Sequence, residues 1–233
     1  MKVLGMDTAL GACSAAIEID GTVIASHMAL QARGHAETIM GQVRQVCAQA
    51  QMEVAEFDRL GVTTGPGTFT GQRVGLAAAR AMVLGTGVQL IGVTTCQVVA
   101  AGVEGVGPED HIFVVFDAKR SEVYIQGFDH HLGAITPPEV RSVPQAAARM
   151  IAVLPPASRV FIVGSGAALV RRDLESAGFQ VPQTSASDQP DAQHVARLAG
   201  RAPAPGKGAL PPAPLYLRVP DAKLPAKKRP EER

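Results

Sequence analysis

The sequence has little of what marks several large functional classes. It contains no tryptophan, and aromatic residues make up only 4% of its 233 residues, which leaves little material for base-stacking platforms. Its formal net charge is +1, so no overall field favours nucleic acid or an acidic membrane. Three widely spaced cysteines without a CxxC pair indicate reduced, mostly buried thiols rather than a disulfide framework or a zinc site.

Long apolar runs are also missing. No segment approaches the roughly 20 apolar residues that cross a bilayer, and the apolar run at the start is too short for a signal peptide. We therefore expect a cytoplasmic protein without a membrane span. The 46% of hydrophobic residues is still enough to build one large domain or two small ones, each with its own core.

Apolar runs and turn signals predict two successive units of similar layout. In the first unit a buried run reaches Asp7, the hairpin signal Asp20-Gly21 joins two further runs, and helices then alternate with strands. In the second unit paired strands near Asp117 precede a helix, a strand and two more helices. The repeat predicts an α/β fold with two similar lobes, each a small mixed sheet flanked by helices. The predicted boundaries are 1–103 for the N-terminal lobe, 104–202 for the C-terminal lobe and 203–233 for a tail.

The tail differs from the lobes in composition. Residues 203–233 hold 8 of the 17 prolines and carry seven Lys or Arg against three Asp or Glu. Most of this segment should be extended or disordered, and only the stretch Leu215–Arg218 is apolar enough to dock. Its basic side chains either attract RNA in a salt-sensitive way or only keep the tail soluble, and composition leaves both open. These are Lys223, Lys227, Lys228 and Arg229.

A glycine-rich stretch lies between a predicted strand and a predicted helix at Thr63–Gly75. Such a loop either cradles phosphate with its backbone N–H groups or only turns the chain. No lysine stands where a Walker A loop needs one, which favours the turn. In that interpretation Gly65, Pro66 and Gly67 shape the turn, and Thr70 is the expected N-cap of the helix.

The helix after this loop carries small residues four apart, at Gly71, Gly75 and Ala79. Small residues on one face allow a neighbouring element to approach closely, and that element belongs either to the same lobe or to a partner. Glycine in the middle of a helix costs roughly 1 kcal/mol relative to alanine, so Gly75 indicates a need for close approach.

Several stretches together resemble the bacterial TsaB (YeaZ) family. They are DTA…ACSAAI at the start, RGHAETI, GPGTFTGQRVGL and DAKRSEVY, and YLR near the end is similar as well. The resemblance covers nearly the whole part of the chain predicted to be ordered, and the glycine motif with FTG is its most specific element. It implies the two-lobed α/β fold of the actin-like ATPase (ribonuclease H-like) superfamily.

The resemblance also implies a function. The family is the partner of TsaD in forming N6-threonylcarbamoyladenosine at position 37 of tRNAs that read ANN codons, so the chain would support a catalytic paralogue without performing the chemistry. Implied partners are a TsaD-like subunit, a TsaE-like ATPase and, for the chain alone, a second copy, with tRNA contacted only through the complex. The implied partner interface lies on the first two helices: His35, Ile39, Met40, Val43, Cys47, Gly71, Gly75 and Ala79.

The superfamily's nucleotide elements are present in altered form. Its first phosphate turn, Asp-x-Gly-x-Ser/Thr, corresponds to Asp7–Gly11, where glycine is displaced and Leu10 is bulky. The second turn, which begins at Asp117, has no glycine, whereas VGSGA at 163–167 resembles the adenosine loop. The two aspartates would hold Mg²⁺ or, as we favour, cap their own turns. The resulting vestigial nucleotide site consists of Asp7, Gly65, Gly67, Asp117, Gly164 and Gly166.

Catalytic residues are not expected. The catalytic paralogue carries a His-x-x-x-His metal pair where this chain has His35 and Ile39, and one histidine cannot build that site. We expect no metal and no firmly held cofactor, with weak ATP or ADP binding with Mg²⁺ at the partner interface left open. The alternatives are an ATP-dependent phosphotransferase of the actin/hexokinase superfamily, disfavoured by the altered turns, and an RNA-binding module, disfavoured by charge and aromatic content.

Overall fold

A computed structural model describes residues 1–206 and 208–218, which form two lobes around two mixed sheets. The first sheet has the order β3-β2-β1-β4-β5 and the second the order β8-β7-β6-β9. The strands are β1 (Lys2–Asp7), β2 (Ala12–Ile19), β3 (Thr22–Leu30), β4 (Arg59–Thr63), β5 (Gln89–Val93), β6 (His111–Lys119), β7 (Glu122–Phe128), β8 (Glu139–Ser142) and β9 (Val160–Val163). The helices are α1 (His35–Ala50), α2 (Phe69–Val83), α3 (Thr95–Ala100), α4 (Val143–Val153), α5 (Ala167–Ser176) and α6 (Ala192–Arg201).

The two sheets repeat one pairing pattern, as the sequence predicts. In each, the first strand is antiparallel to the second and parallel to a strand that follows a helix: β1 pairs with β2 and β4, and β6 with β7 and β9. The predicted hairpin between β2 and β3 is confirmed, because Asp20 and Gly21 both have positive φ, at 48° and 86°. The predicted fold class, two small mixed sheets flanked by helices, is confirmed.

Helices α1 and α2 cover one face of the first sheet. Their apolar positions recur every three or four residues, so each helix buries one stripe against the strands. In α1 the stripe includes Ile39, Val43 and Val46, and in α2 it includes Leu76 and Ala79. This cluster forms the core of the N-terminal lobe.

Helix α6 packs on the opposite face of the same sheet, which corrects the predicted lobe boundary at 104–202. Its buried stripe, with Val195 and Ala199, joins Val3 and Ile91 of the first sheet. The sequence signal was glycine inside strands: a Cβ on Gly5 would lie 2.4 Å from the Ala192 carbonyl oxygen, so glycine admits the helix at contact distance. Arg59 fixes the far end of α6 by donating from Nη1 to the carbonyl oxygens at 199, 200 and 202.

Helix α3 lies between the lobes. Its buried residues Cys96 and Val99 pack against Val114 and Phe116 of the second sheet. Helices α4 and α5 cover the other face of that sheet, with Met150 and Leu174 in the core of the C-terminal lobe. The lobes therefore share an apolar interface, in addition to a core in each.

The described part of the tail has no helix or strand, and it docks. Residues 208–218, named here the C-terminal strap, run along β5 and α2 and end on the C-terminal lobe, which confirms the predicted docking of Leu215–Arg218. The predicted tail lysines 223, 227 and 228 and Arg229 lie outside the described residues. Within the described residues, no helix combines the length and apolarity that a membrane span requires.

Candidate functional site

Asp7 lies at the carboxyl end of β1 and is completely buried. Its Oδ1 accepts hydrogen bonds from the Ala9 amide (3.1 Å) and from the Thr63 hydroxyl (2.5 Å) at the end of β4. Its Oδ2 is buried without a hydrogen-bond partner among the described residues. Burial raises the pKa of Asp7 to about 7. The hydrogen bonds favour the charged form and lower the pKa, but burial has the larger effect.

The turn after Asp7 is closed by its own chain. The Thr8 hydroxyl donates to the Gly71 carbonyl oxygen, and a Cβ on Gly71 would lie 2.1 Å from the Thr8 carbonyl oxygen. The Ala9 amide is bound to Asp7, and the Gly11 amide donates to Gln189 Oε1 at 2.7 Å. Since these two N–H groups are already bound and Asp7 is covered, the turn as it stands does not fit a phosphate. We derive no nucleotide chemistry from it.

Asp117 occupies the equivalent point of the C-terminal lobe, near the end of β6, and is accessible to water. Its carboxylate accepts from the Lys119 amide (2.8 Å) and from Lys119 Nζ (2.7 Å). The hydrogen bond from the Lys119 side chain, and after it the one from the Lys119 amide, lower the pKa of Asp117. Asp117 therefore caps its own turn.

The glycine loop turns the chain tightly from β4 into α2. Gly65 has a φ of 113°, and a Cβ on Gly67 would lie 2.5 Å from the Ala9 carbonyl oxygen. The expectation that Thr70 caps α2 is wrong. Thr68 is the N-cap, because its hydroxyl accepts from the Gly71 amide at 3.1 Å. The loop thus packs on the Asp7 turn, one strand away.

The loop that resembles the adenosine loop packs on β6. Gly164 has a φ of 108° and a would-be Cβ 2.5 Å from the Val115 carbonyl oxygen, and the Gly166 amide donates to that same oxygen. The Ser165 hydroxyl accepts from the Asp117 amide at 3.1 Å. A pocket of about 330 Å³ lies beside this loop. The structure therefore brings Gly166 to Asp117, and Gly67 to Ala9 in the turn after Asp7, whereas Gly164 packs on Val115 and Gly65 on Gln72.

Most residues of the predicted partner interface face inward, which corrects that assignment. Five of the eight are buried within this chain: Ile39, Val43, Gly71, Gly75 and Ala79. A Cβ on Gly75 would lie 2.6 Å from the Thr8 hydroxyl oxygen, so the close approach is made by the chain's own β1–β2 turn. Of the other three, Met40 is 37% exposed, His35 and Cys47 are half-buried, and His35 Nε2 lies 3.0 Å from the Leu10 carbonyl oxygen.

The outward faces of α1 and α2 are formed by other residues. Gly41 is exposed in the middle of α1, and a Cβ there would meet no atom of the described residues within 4 Å. Ala48 on α1 and Ala77 and Ala81 on α2 are exposed as well. From the sequence, Gly75 is the mid-helix glycine expected to face a partner. Gly41 is also a mid-helix glycine, and it is the exposed one, whereas Gly75 is buried. The sequence alone does not show which of the two is buried. We call Met40, Gly41, Ala48, Ala77 and Ala81 the outer helix face.

Metal-ligating side chains are scattered in the part of the chain that the structure describes. No three His, Cys, Asp or Glu side chains there are grouped so that they could hold a metal ion. The Cys13 thiol is buried, and burial raises its pKa to about 12. Burial also raises the pKa of the Cys96 thiol. Neither thiol has the lowered pKa of a reactive cysteine.

The paired mixed sheets, the aspartates at equivalent strand ends and the helices between the lobes define a protein with the actin-like α/β fold. Comparison with solved structures agrees. A YeaZ-like protein from Pseudomonas aeruginosa superimposes with a TM-score of 0.73 over 93% of this chain and 99% of that one, at 23% identity.

Sequence comparison then gives the family. Residues 22–158 match the family model described as TsaD: tRNA N6-adenosine threonylcarbamoyltransferase. An uncharacterized Mycobacterium tuberculosis protein is 32% identical over 95% of this chain and 93% of its own length. The tRNA threonylcarbamoyladenosine biosynthesis protein TsaB of Escherichia coli is 35% identical, in a match that spans 53% of each chain. The chain belongs to the TsaB (YeaZ) family.

Proposed function

We propose that this chain is a non-catalytic subunit in the formation of N6-threonylcarbamoyladenosine at position 37 of tRNAs that read ANN codons. It binds a TsaD-type catalytic subunit through the outer helix face and holds it in a competent state. Alone, it pairs with a second copy through the same face. A TsaE-like ATPase joins the assembly, and tRNA is contacted through the complex. The chain works in the cytoplasm and holds no cofactor firmly by itself.

The observation that carries this proposal is Gly41. A mid-helix glycine costs roughly 1 kcal/mol, and none of the described residues approaches Gly41 closely enough to require glycine there. A second helix packed against α1 and α2 could approach closely at the exposed small residues, which are Gly41, Ala48, Ala77 and Ala81. Names of the relatives support the pathway, because TsaB of E. coli is named for threonylcarbamoyladenosine biosynthesis.

The closed turn after Asp7 favours a non-catalytic subunit and argues against the phosphotransferase alternative. A phosphotransferase needs N–H donors or a metal at the phosphate turns. In this chain the amides of Ala9 and Gly11 are bound internally, and Asp7 is covered.

The test is reconstitution with a TsaD-type subunit, the remaining components and unmodified tRNA, with and without this chain. We expect modification only with it, and we expect Gly41→Leu to abolish binding and modification, because the leucine side chain projects into the interface. The melting temperature should not fall, since leucine is the better helix former and a Cβ at this position meets no atom of the described residues within 4 Å. Calorimetric titration measures binding, light scattering measures pairing with a second copy, and thermal melting measures the melting temperature. The reconstituted reaction itself reports modification.

The matched control is Ala152→Leu on α4, an exposed alanine of the C-terminal lobe. It should bind and support modification like the unaltered chain. If Gly41→Leu binds the TsaD-type subunit normally, the outer helix face is not the interface. If the chain alone turns over ATP at about 1 s⁻¹, an ordinary enzyme rate, and loses this in Asp7→Ala, the phosphotransferase alternative is correct.

A further inference from the structure

The C-terminal strap, residues 208–218, binds the N-terminal lobe by its backbone. The Leu215 amide donates to the Thr64 carbonyl oxygen at 2.8 Å, at the start of the glycine loop. Upstream, Arg80 on α2 donates from Nη2 to the Pro212 carbonyl oxygen at 2.6 Å, and Pro212 lies against Gly92 of β5. The strap thus follows the exposed edge of the first sheet.

An aromatic and cationic cluster fixes the strap to α2. The rings of Tyr216 and Phe69 are stacked with centroids 5.8 Å apart. Arg73 donates from Nε to the Tyr216 hydroxyl at 2.7 Å, and its guanidinium lies 3.4 Å from the centroid of the Phe69 ring. Phe69 and Tyr216 remain 58% and 46% exposed, so stacking and cation–π attraction hold the cluster more than core burial does.

The strap ends on the other lobe. Arg218 donates from Nη2 to the Ala118 carbonyl oxygen at 3.2 Å and forms an ion pair with Glu122. Ala118 follows Asp117 near the end of β6, and Glu122 begins β7. One short segment therefore grips the glycine loop of the first lobe and the aspartate turn of the second.

The distance between these two grips is limited by the chain itself. Leu215 and Arg218 are three residues apart, and a fully extended chain spans about 10 Å over that number. We propose that the strap is a tether that limits how far the glycine loop and the Asp117 turn can separate, with the Tyr216 cluster as its anchor on the N-terminal lobe. While the anchor holds, the lobes move as one body. Its release widens the range of distances between the glycine loop and the Asp117 turn, while the apolar contact at α3 remains.

The test measures the separation of the lobes directly. Spin labels are placed on exposed helix sites in each lobe that lie outside the outer helix face, with Gln49→Cys on α1 and Ala152→Cys on α4. The background is Cys47→Ala, because Cys13 and Cys96 are buried and Cys47 is only half-buried. Pulsed electron paramagnetic resonance on the full chain should give a narrow distance distribution. Arg218→Ala and Tyr216→Ala should each broaden it at least twofold.

Two further variants serve as a control and as an intermediate case for the distance measurement. Leu210→Ala alters a strap residue that is 92% exposed and should leave the distribution unchanged. Tyr216→Phe keeps the ring and removes the hydroxyl that Arg73 binds, so it should broaden the distribution less than Tyr216→Ala.

Hydrogen–deuterium exchange on the unlabelled chain separates a tether from a docked tail. In Tyr216→Ala the Leu215 amide should exchange at least tenfold faster, and the 117–122 turn should lose protection with it. Faster exchange in the strap with an unchanged turn and an unchanged distance distribution would overturn the proposal. So would distributions that stay narrow in both strap variants.

Discussion

Asp7 and Asp117 occupy the same point in two lobes of the same design, yet their surroundings are opposite. Asp7 is fully buried with its pKa raised to about 7, whereas Asp117 is accessible and its pKa is lowered by Lys119. The first is closed in by α2, whose Gly71 allows contact with the Thr8 carbonyl. The second has no helix packed over it in the same way among the described residues, and its turn contacts the Ser165–Gly166 loop and Arg218 of the strap. A repeated strand–turn–strand unit therefore does not determine whether its aspartate is charged. The helix packed over the turn does.

Replacing Asp7 by asparagine should give the largest change in this comparison. Since the folded chain keeps the Asp7 proton at pH values where the unfolded chain, with a pKa near 3.8, has released it, stability falls as pH rises from about 4 to about 7. Asp7→Asn should remove a pH-dependent difference on the order of 4 kcal/mol in the free energy of unfolding. Urea unfolding at pH 4.5, 6 and 8 measures it. An unchanged pH dependence would show that Asp7 titrates normally in the folded chain.

The next largest difference is expected when one methyl group is added next to each turn, because the two lobes should lose different amounts of stability. Gly71→Ala places a Cβ 2.1 Å from a backbone oxygen, whereas Gly166→Ala places one 3.0 Å from the Asp117 nitrogen. We expect Gly71→Ala to cost about 3 kcal/mol and Gly166→Ala about 1 kcal/mol, as overpacking with different room to relax. Thermal melting compares the two. Equal losses would mean that both turns are packed equally tightly.

The smallest effect is expected at Asp117. Its lowered pKa gives a stabilisation that is present above pH 4 and lost as the pH falls below it, the opposite sign to Asp7. The pair with Lys119 is exposed and screened, so Asp117→Asn should cost less than about 1 kcal/mol at pH 7, and this cost should shrink as the pH falls below 4. The same urea unfolding measures this cost. A larger loss of unfolding free energy at pH 7 would mean that the Asp117 turn contributes as much to stability as the Asp7 turn does.

The sequence predicted the layout well, because strands, the Asp20-Gly21 hairpin and the helix stripes depend on local periodicity. It assigned α6 to the wrong lobe, since an amphipathic stripe does not say which sheet it covers. It also read Gly75 as a surface for a partner, although Gly41 is the exposed glycine. Both errors concern long-range packing, which one sequence does not encode in its local pattern. The interface itself stays a prediction.

Helix α6 has a consequence for the order in which the protein can be completed. It is the last helix along the described part of the chain, yet it covers Val3, Ile91 and Val93 of the first lobe. Until about residue 200 has left the ribosome, that face of the first sheet is bare apolar surface, and Arg59 has no helix end to bind. The lobe that is made first is therefore finished last. The two lobes become a single cooperative unit because the chain returns to its beginning.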